Sequence, residues 1–113
     1  MNEHRWADAF AGAITVCDER GVIVDMNDRA AVTYQADGGR ALIGTDLRAC
    51  HPEHARAKLE ALFAARKPNV YTIRKNGVRK LIYQSPWYRD GVYAGIVELS
   101  VQIPDDVPEF VRT

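Results

Sequence analysis

The sequence predicts an α+β fold: one five-stranded antiparallel sheet with helices packed on one face and a short N-terminal lead helix. Three observations lead there. Two runs rich in β-branched residues open the chain, at 13–17 and 22–26, and three more strand-like runs close it from residue 70. Turn signals separate the neighbours within each group. Between the groups stands one well-formed amphipathic helix, over 52–66. Two strands, a helical insertion and a three-stranded meander make one sheet when the helices cover a single face.

Each element has its own reason. Trp6, Ala7, Phe10 and Ala11 recur at helical spacing and give the lead helix. A helix this short is marginal in water, so it must pack on the sheet or on a second copy of the chain. Ala13-Ile14-Thr15-Val16-Cys17 and Val22-Ile23-Val24-Asp25-Met26 form a hairpin across Asp18-Glu19-Arg20-Gly21. Asn27 caps a short helix from Asp28, its side-chain oxygen accepting a backbone N–H left over in the first turn. Asp37-Gly38-Gly39 ends that helix, and Leu42-Ile43-Gly44 follows as a buried turn. The main helix opens at Pro52, where the missing N–H is no loss. Ala55, Leu59, Leu62 and Phe63 line its apolar face, Glu53 and Arg66-Lys67 suit the two ends of its dipole, and Pro68 stops it.

The meander begins with 70–75 and 78–83 on either side of Asn76-Gly77, a strong hairpin signal. A strict two-residue loop sets Arg74 opposite Arg79, so a longer or bulged turn is expected. Asp90-Gly91 makes the second turn. In the last strand Val97, Leu99, Val101 and Ile103 alternate with Glu98, Ser100 and Gln102. The apolar set is expected on the core and the polar set toward water or a partner. Pro104 ends the strand. The chain thus divides into a lead segment 1–12, a domain 13–103 and an exit tail 104–113.

Composition bounds the function. At 113 residues the chain is one domain, with 47% apolar and 27% charged residues, an ordinary globular balance. Fifteen basic and fifteen acidic residues cancel, which recommends neither nucleic acid nor a membrane surface as partner. No apolar run approaches the roughly 18–20 residues that span a bilayer, and Met1-Asn2-Glu3-His4-Arg5-Trp6 lacks a signal-peptide core. A cytoplasmic protein with Cys17 and Cys50 as reduced thiols is expected, and the two match no zinc spacing.

The order of short motifs resembles the PAS sensor-domain superfamily over residues 13–103. The first half offers Asp18-x-x-Gly21-x-Ile23-x-x-x-Asn27-x-x-Ala30 and then Leu42-Ile43-Gly44-x-x-Leu47. The second half offers Cys50-His51-Pro52-Glu53 opening a helix and Pro86-x-x-x-Asp90-Gly91-x-Tyr93-x-Gly95-x-x-Glu98. This is similar to a branch of PAS-like domains found in bacterial sensory proteins. The resemblance implies a five-stranded sheet cupping a pocket or tight core, commonly dimeric and often joined to a signalling output. Flavin chemistry is not expected, since Asn27-Asp28-Arg29-Ala30-Ala31 stands where the flavin-binding branch carries an Asn-Cys-Arg-Phe-Leu-Gln-like helix. No kinase, cyclase or DNA-binding segment follows Ile103 in this sequence; if these residues are a whole protein, signalling by binding is the expected role.

The expected ligand pocket takes Met26, Val32, Leu47, Cys50 and His51 from the first half and Leu59, Leu62 and Phe63 from the main helix. The meander adds Tyr71, Ile73, Leu81, Tyr83, Tyr93, Val97 and Leu99. Apolar walls with a few polar tips are the usual form of a small-molecule site. Trp6, Phe10, Glu98 and Ser100 are the expected homodimer interface, with the lead helix crossing the outer sheet face and Trp87-Tyr88 extending an aromatic cluster. Partners are therefore a second copy, a small molecule or a signalling protein. The sequence names no cofactor, no catalytic residue and no metal site.

Two other readings stand beside this one. Cys50, His51 and His54 fall within one turn, which suits haem or metal ligation, or a thiol activated by a helix N-terminus. The plainer alternative has Cys50 in the core, His51 packed beside the helix start and His54 in solvent, with Cys17 also in the core. The other reading is a small cone-shaped α+β isomerase or dehydratase, whose acid–base pair would come from Asp25, His51 and Glu98.

Overall fold

The structure is a computed structural model that describes residues 5–50 and 53–113. The side chains of Cys50, His51 and His54 lie outside the described residues, and the haem, metal and reactive-thiol readings lie there with them. In chain order the elements are α1 (Arg5–Ala9), β1 (Ala13–Asp18), β2 (Ile23–Met26), α2 (Asp28–Thr33), three 3-10 turns, α3 (Glu53–Ala65), β3 (Asn69–Lys75), β4 (Val78–Arg89) and β5 (Val92–Gln102). The sheet has the order β2-β1-β5-β4-β3 with every neighbouring pair antiparallel. The first strand therefore joins the last, which unites the two halves of the sequence in one sheet.

Local chemistry sets each element. Gly21 takes a left-handed φ of 87° in the β1–β2 turn, where the Asp18 carboxylate accepts the backbone N–H groups of Arg20 and Val22. Asn27 caps α2 as expected, its Oδ1 accepting the Ala30 N–H at 2.9 Å. Ala13, Ile23, Met26 and Ala30 form one small core, with Tyr34, Leu42 and Leu47 packed on it. Cys17, Ile96 and Phe63 of α3 form a second, and Leu47 reaches both. Arg48 braces this second cluster: its guanidinium stacks 5.2 Å from the Phe63 ring and pairs with Asp46 and Glu60. Phe63 thus seats α3 on the same sheet face as α2, as the amphipathic pattern requires.

Three expectations change. The Asn76-Gly77 loop is a strict two-residue turn with both φ values positive, 53° and 78°, and Arg74 does stand opposite Arg79. The repulsion is met from outside the hairpin. Asp105 accepts from Arg74 through its carboxylate at 2.7 Å and from Arg79 through its backbone carbonyl at 2.8 Å. Residues 104–106 therefore fold back on the hairpin rather than leaving as a plain linker.

The second change concerns the faces of β5. Register places Ser100, Glu98 and Ile96 beside Ala13, Thr15 and Cys17, which is the helix-covered side. Ser100 is buried there, and Val97 and Leu99 point to the opposite, open face with Ile14 and Val16. The alternation was right and the core side was not. One row of the open face, Ile14–Leu99–Tyr83–Val70, is apolar across four strands.

The third change concerns the lead segment. α1 packs beside α2, held by the Asn27 Nδ2 bond to the Ala7 carbonyl, and does not form a belt across the sheet. Phe10 and Val101 both crowd Gly12, where a Cβ would meet them at 2.9 and 2.5 Å. Trp87 stands at the other end of β5, opposite Gly95, its Nε1 donating to the Cys17 carbonyl at 3.0 Å. Six residues of strand, roughly 20 Å, separate it from Phe10, so the expected aromatic cluster does not form.

Candidate functional site: a cavity over a polar row

Between the sheet and the helices lies a cavity of about 410 Å³. Its floor is a single row of cross-strand neighbours: Met26 on β2, Thr15 on β1, Glu98 on β5 and Gln84 on β4, continued outside by Asn69 on β3. Its walls are Ile23, Leu42, Leu47, Leu59, Leu62 and Ile96, with Cys17, Tyr34 and Asp37 completing the lining. The reason for the space is readable in β1. Ala13, Thr15 and Cys17 face the helices with small side chains, while Ile14 and Val16 face away. Small groups below and leucines above leave a gap that neither can close.

The polar groups form a directed chain. Asn69 Nδ2 donates to Gln84 Oε1 at 2.8 Å, and Gln84 Nε2 donates to Glu98 Oε2 at 2.8 Å. From the other side the Tyr34 hydroxyl donates to Glu98 Oε1 at 3.1 Å. Each carboxylate oxygen thus receives one donor, which leaves about two of its lone-pair positions open. Burial pushes the Tyr34 phenol far above the ordinary tyrosine range, and the Glu98 charge adds to it. Tyr71 is pushed up for the same two reasons in the same order. Burial also raises the free Cys17 thiol, which keeps it protonated rather than nucleophilic.

A second groove of about 820 Å³ runs between α3 and β3. Leu59, Leu62 and Gln84 line both spaces, so the groove adjoins the cavity. Here α3 stands off the edge strand: Tyr71 and Asn69 border the groove, and Lys58 and Lys67 sit at its helix side.

Of the residues expected in the pocket, Met26, Leu47, Leu59 and Leu62 line the cavity. Phe63 backs it from the Cys17–Ile96 cluster, and Tyr71 lines the groove. Ile73 shares the helix-side face but is solvent-exposed toward the hairpin tip. Leu81, Tyr83, Val97 and Leu99 belong to the open face, and Val32 projects from α2 with 67% exposure. Tyr93 lies at the β4–β5 hairpin, edge-on to Tyr88 and beneath the Arg66 guanidinium at 4.3 Å. Glu98 and Ser100, expected at a dimer interface, are interior. Trp6 and Phe10 are exposed, as an interface would need, but stand by α2 and the start of β1.

Sequence reasoning did not find Thr15, Tyr34, Asp37 or Gln84. The large–small alternation of β1 was the available signal for Thr15; nothing local marks the other three. Asp25 and Glu98 lie on opposite faces, since Asp25 pairs with Val16 and Glu98 with Thr15, so only Glu98 faces the cavity, and His51, the other half of the expected acid–base pair, lies outside the described residues. Among the described residues no group of His, Cys, Asp and Glu is placed to hold a metal ion, and no helix is long and apolar enough to cross a membrane.

No family model matches the sequence, and no curated protein matches it either. Solved structures do. A C-terminal domain from Streptococcus mutans superposes with a TM-score of 0.72 at 15% identity, covering 87% of this chain and 80% of its own. The PAS domain of BvgS from Bordetella pertussis gives 0.63 at 22% identity, covering 89% and 83%. A receptor from Vibrio cholerae, described as a dual PAS–haem oxygen sensor, gives 0.59 at 16%, covering 82% and 95%. With the strand order, the helical insertion and the cavity, these likenesses establish the architecture: the chain has the PAS fold.

Proposed function

We propose that this chain is a non-catalytic PAS-type sensory module that reads the occupancy of the Glu98 cavity and works as a homodimer. The observation that carries the reading is the cavity itself, about 410 Å³ of largely apolar wall around a few hydrogen-bonded polar groups. That is the form small-molecule sites take. Occupancy has a route outward. A ligand donor at Glu98 Oε2 shares that oxygen with Gln84 and weakens its hold, and Gln84 in turn holds Asn69, the first residue of β3. A ligand then shifts the edge strand by its difference in affinity for the two arrangements.

The apolar row Ile14–Leu99–Tyr83–Val70 supports association of two copies through the open face, with Phe10 at its margin. The histidines of the haem reading, His51 and His54, lie outside the described residues, and the apolar wall around Glu98 suits a small organic ligand. Native mass spectrometry tests the whole reading. The expected spectrum is a dimer that binds members of a fragment collection, with binding lost in Leu59→Trp, which fills the cavity. A monomer that binds no fragment refutes it.

A further inference from the structure

Resting on the reading that the cavity holds a ligand, we propose that the ligand is a small organic cation, with a protonated amine seated against Glu98 and an apolar body under α3. The lining is one-sided in charge. Glu98 stands at the middle of the floor and Asp37 lines the same space. No lysine, arginine or histidine is found among the described lining residues, and neither carboxylate has an ion-pair partner among the described residues.

The hydrogen bonds point the same way. Gln84 and Tyr34 both donate to Glu98, and Asn69 donates to Gln84, so the whole row is oriented to present an acceptor. Two donors leave about two lone-pair positions on the carboxylate, and the Thr15 hydroxyl stands across the strand pair from it. An ammonium carries donors only, which is the complement this arrangement lacks. An anionic ligand would bring like charge to Glu98 inside a partly apolar enclosure, with Asp37 at its exposed margin, and is disfavoured. The negative potential is already felt by the neighbouring phenols, since Glu98 is one of the groups that raise Tyr34 and Tyr71.

Size and approach complete the description. At about 30 Å³ for each water-sized group, the cavity takes on the order of a dozen non-hydrogen atoms. Leu42, Leu59, Leu62 and Ile96 offer the body an apolar wall, and the groove between α3 and β3 gives it a way in.

The test is a matched series of probes: 4-phenylbutylamine, 4-phenylbutan-1-ol and 4-phenylbutanoate, titrated into the full chain by calorimetry at physiological salt. The amine is expected to bind at least tenfold more tightly than the alcohol, and the carboxylate most weakly. Glu98→Gln is expected to remove about tenfold of the amine affinity while leaving the alcohol within twofold. If the alcohol or the carboxylate binds as well as the amine, the cavity is a ligand site and the cation assignment is wrong. If all three fail to bind, the ligand-site reading falls with it. Should Glu98→Gln not fold, as circular dichroism will tell, the ranking on the unaltered chain still decides. Asp37→Asn, an exposed position outside the hydrogen-bonded row, then gives the second variant, with a two- to threefold loss expected for the amine alone. An unchanged amine affinity in that variant overturns the assignment.

Discussion

Asn27 and Ile14 hydrogen-bond in both directions: the Asn27 N–H donates to the Ile14 carbonyl at 3.1 Å, and Asn27 Oδ1 accepts the Ile14 N–H at 2.9 Å. The same side chain accepts from Ala30 and donates to the carbonyls of Gly12 and Ala7. One buried amide thus fixes α1, the start of β1, the end of β2 and the cap of α2. Asn27→Ala removes the cap and strands several buried backbone groups, a loss of about 3 kcal/mol. Urea unfolding measures it, and a midpoint equal to that of the parent chain contradicts the assignment.

Gly95 has a φ of 139°, and a Cβ there would lie 2.0 Å from the Cys17 carbonyl oxygen. Backbone cannot yield that distance within a paired strand. Gly95→Ala is expected to cost more than about 3 kcal/mol and to leave little folded protein. Gly77→Ala is the control, because its φ of 78° is unfavourable but nothing lies within 4 Å. That variant is expected to lose only about 1 kcal/mol and to keep a cooperative melt.

The elevated Tyr34 phenol makes stability depend on alkaline pH. Its folded-state value is raised above the unfolded one, so its contribution is complete below the ordinary tyrosine value of about 10 and declines as pH rises beyond it. Absorbance titration should show a tyrosine that stays protonated after exposed ones have ionised. Glu98→Gln should bring that titration to lower pH by removing the charge, with burial still holding it above the free value. Tyr34→Phe should make the alkaline decline of stability shallower.

The open face gives a prediction about assembly. Tyr83 lies in the apolar row and is 38% exposed. Tyr83→Arg places a charge among Leu99 and Val70 and is expected to convert a dimer to a monomer in light scattering. The thermal stability of the monomer should change little, as is usual where a substituted side chain remains in water. An unaltered mass would remove this face from the interface.

Much of this fold was legible because its local signals agree with one another. The Asn27 cap, the Asn76-Gly77 hairpin and the apolar face of α3 each rest on neighbours close in sequence. The site was harder. Polarity alone assigned Glu98 and Ser100 to the outside, and it failed because this sheet keeps its polar row inward, where a cavity needs hydrogen-bonding groups, and presents its aliphatic row outward. Tyr34 meets Glu98 from 64 positions away, a pairing that no local pattern encodes. The Arg74–Arg79 pair was misjudged for a related reason, since its counter-charge sits on Asp105, beyond the strand that follows.

With Asp105 at one end and Gln84 at the other, β3 is anchored at both ends. Asn69 begins the strand inside the hydrogen-bonded row, and Arg74, one residue before its end, is fastened to the segment that leaves β5. The strand spans roughly 20 Å and pairs only with β4, its outer edge carrying no second strand among the described residues. The strand thus ties the hydrogen-bonded row under the cavity to the chain that leaves the sheet.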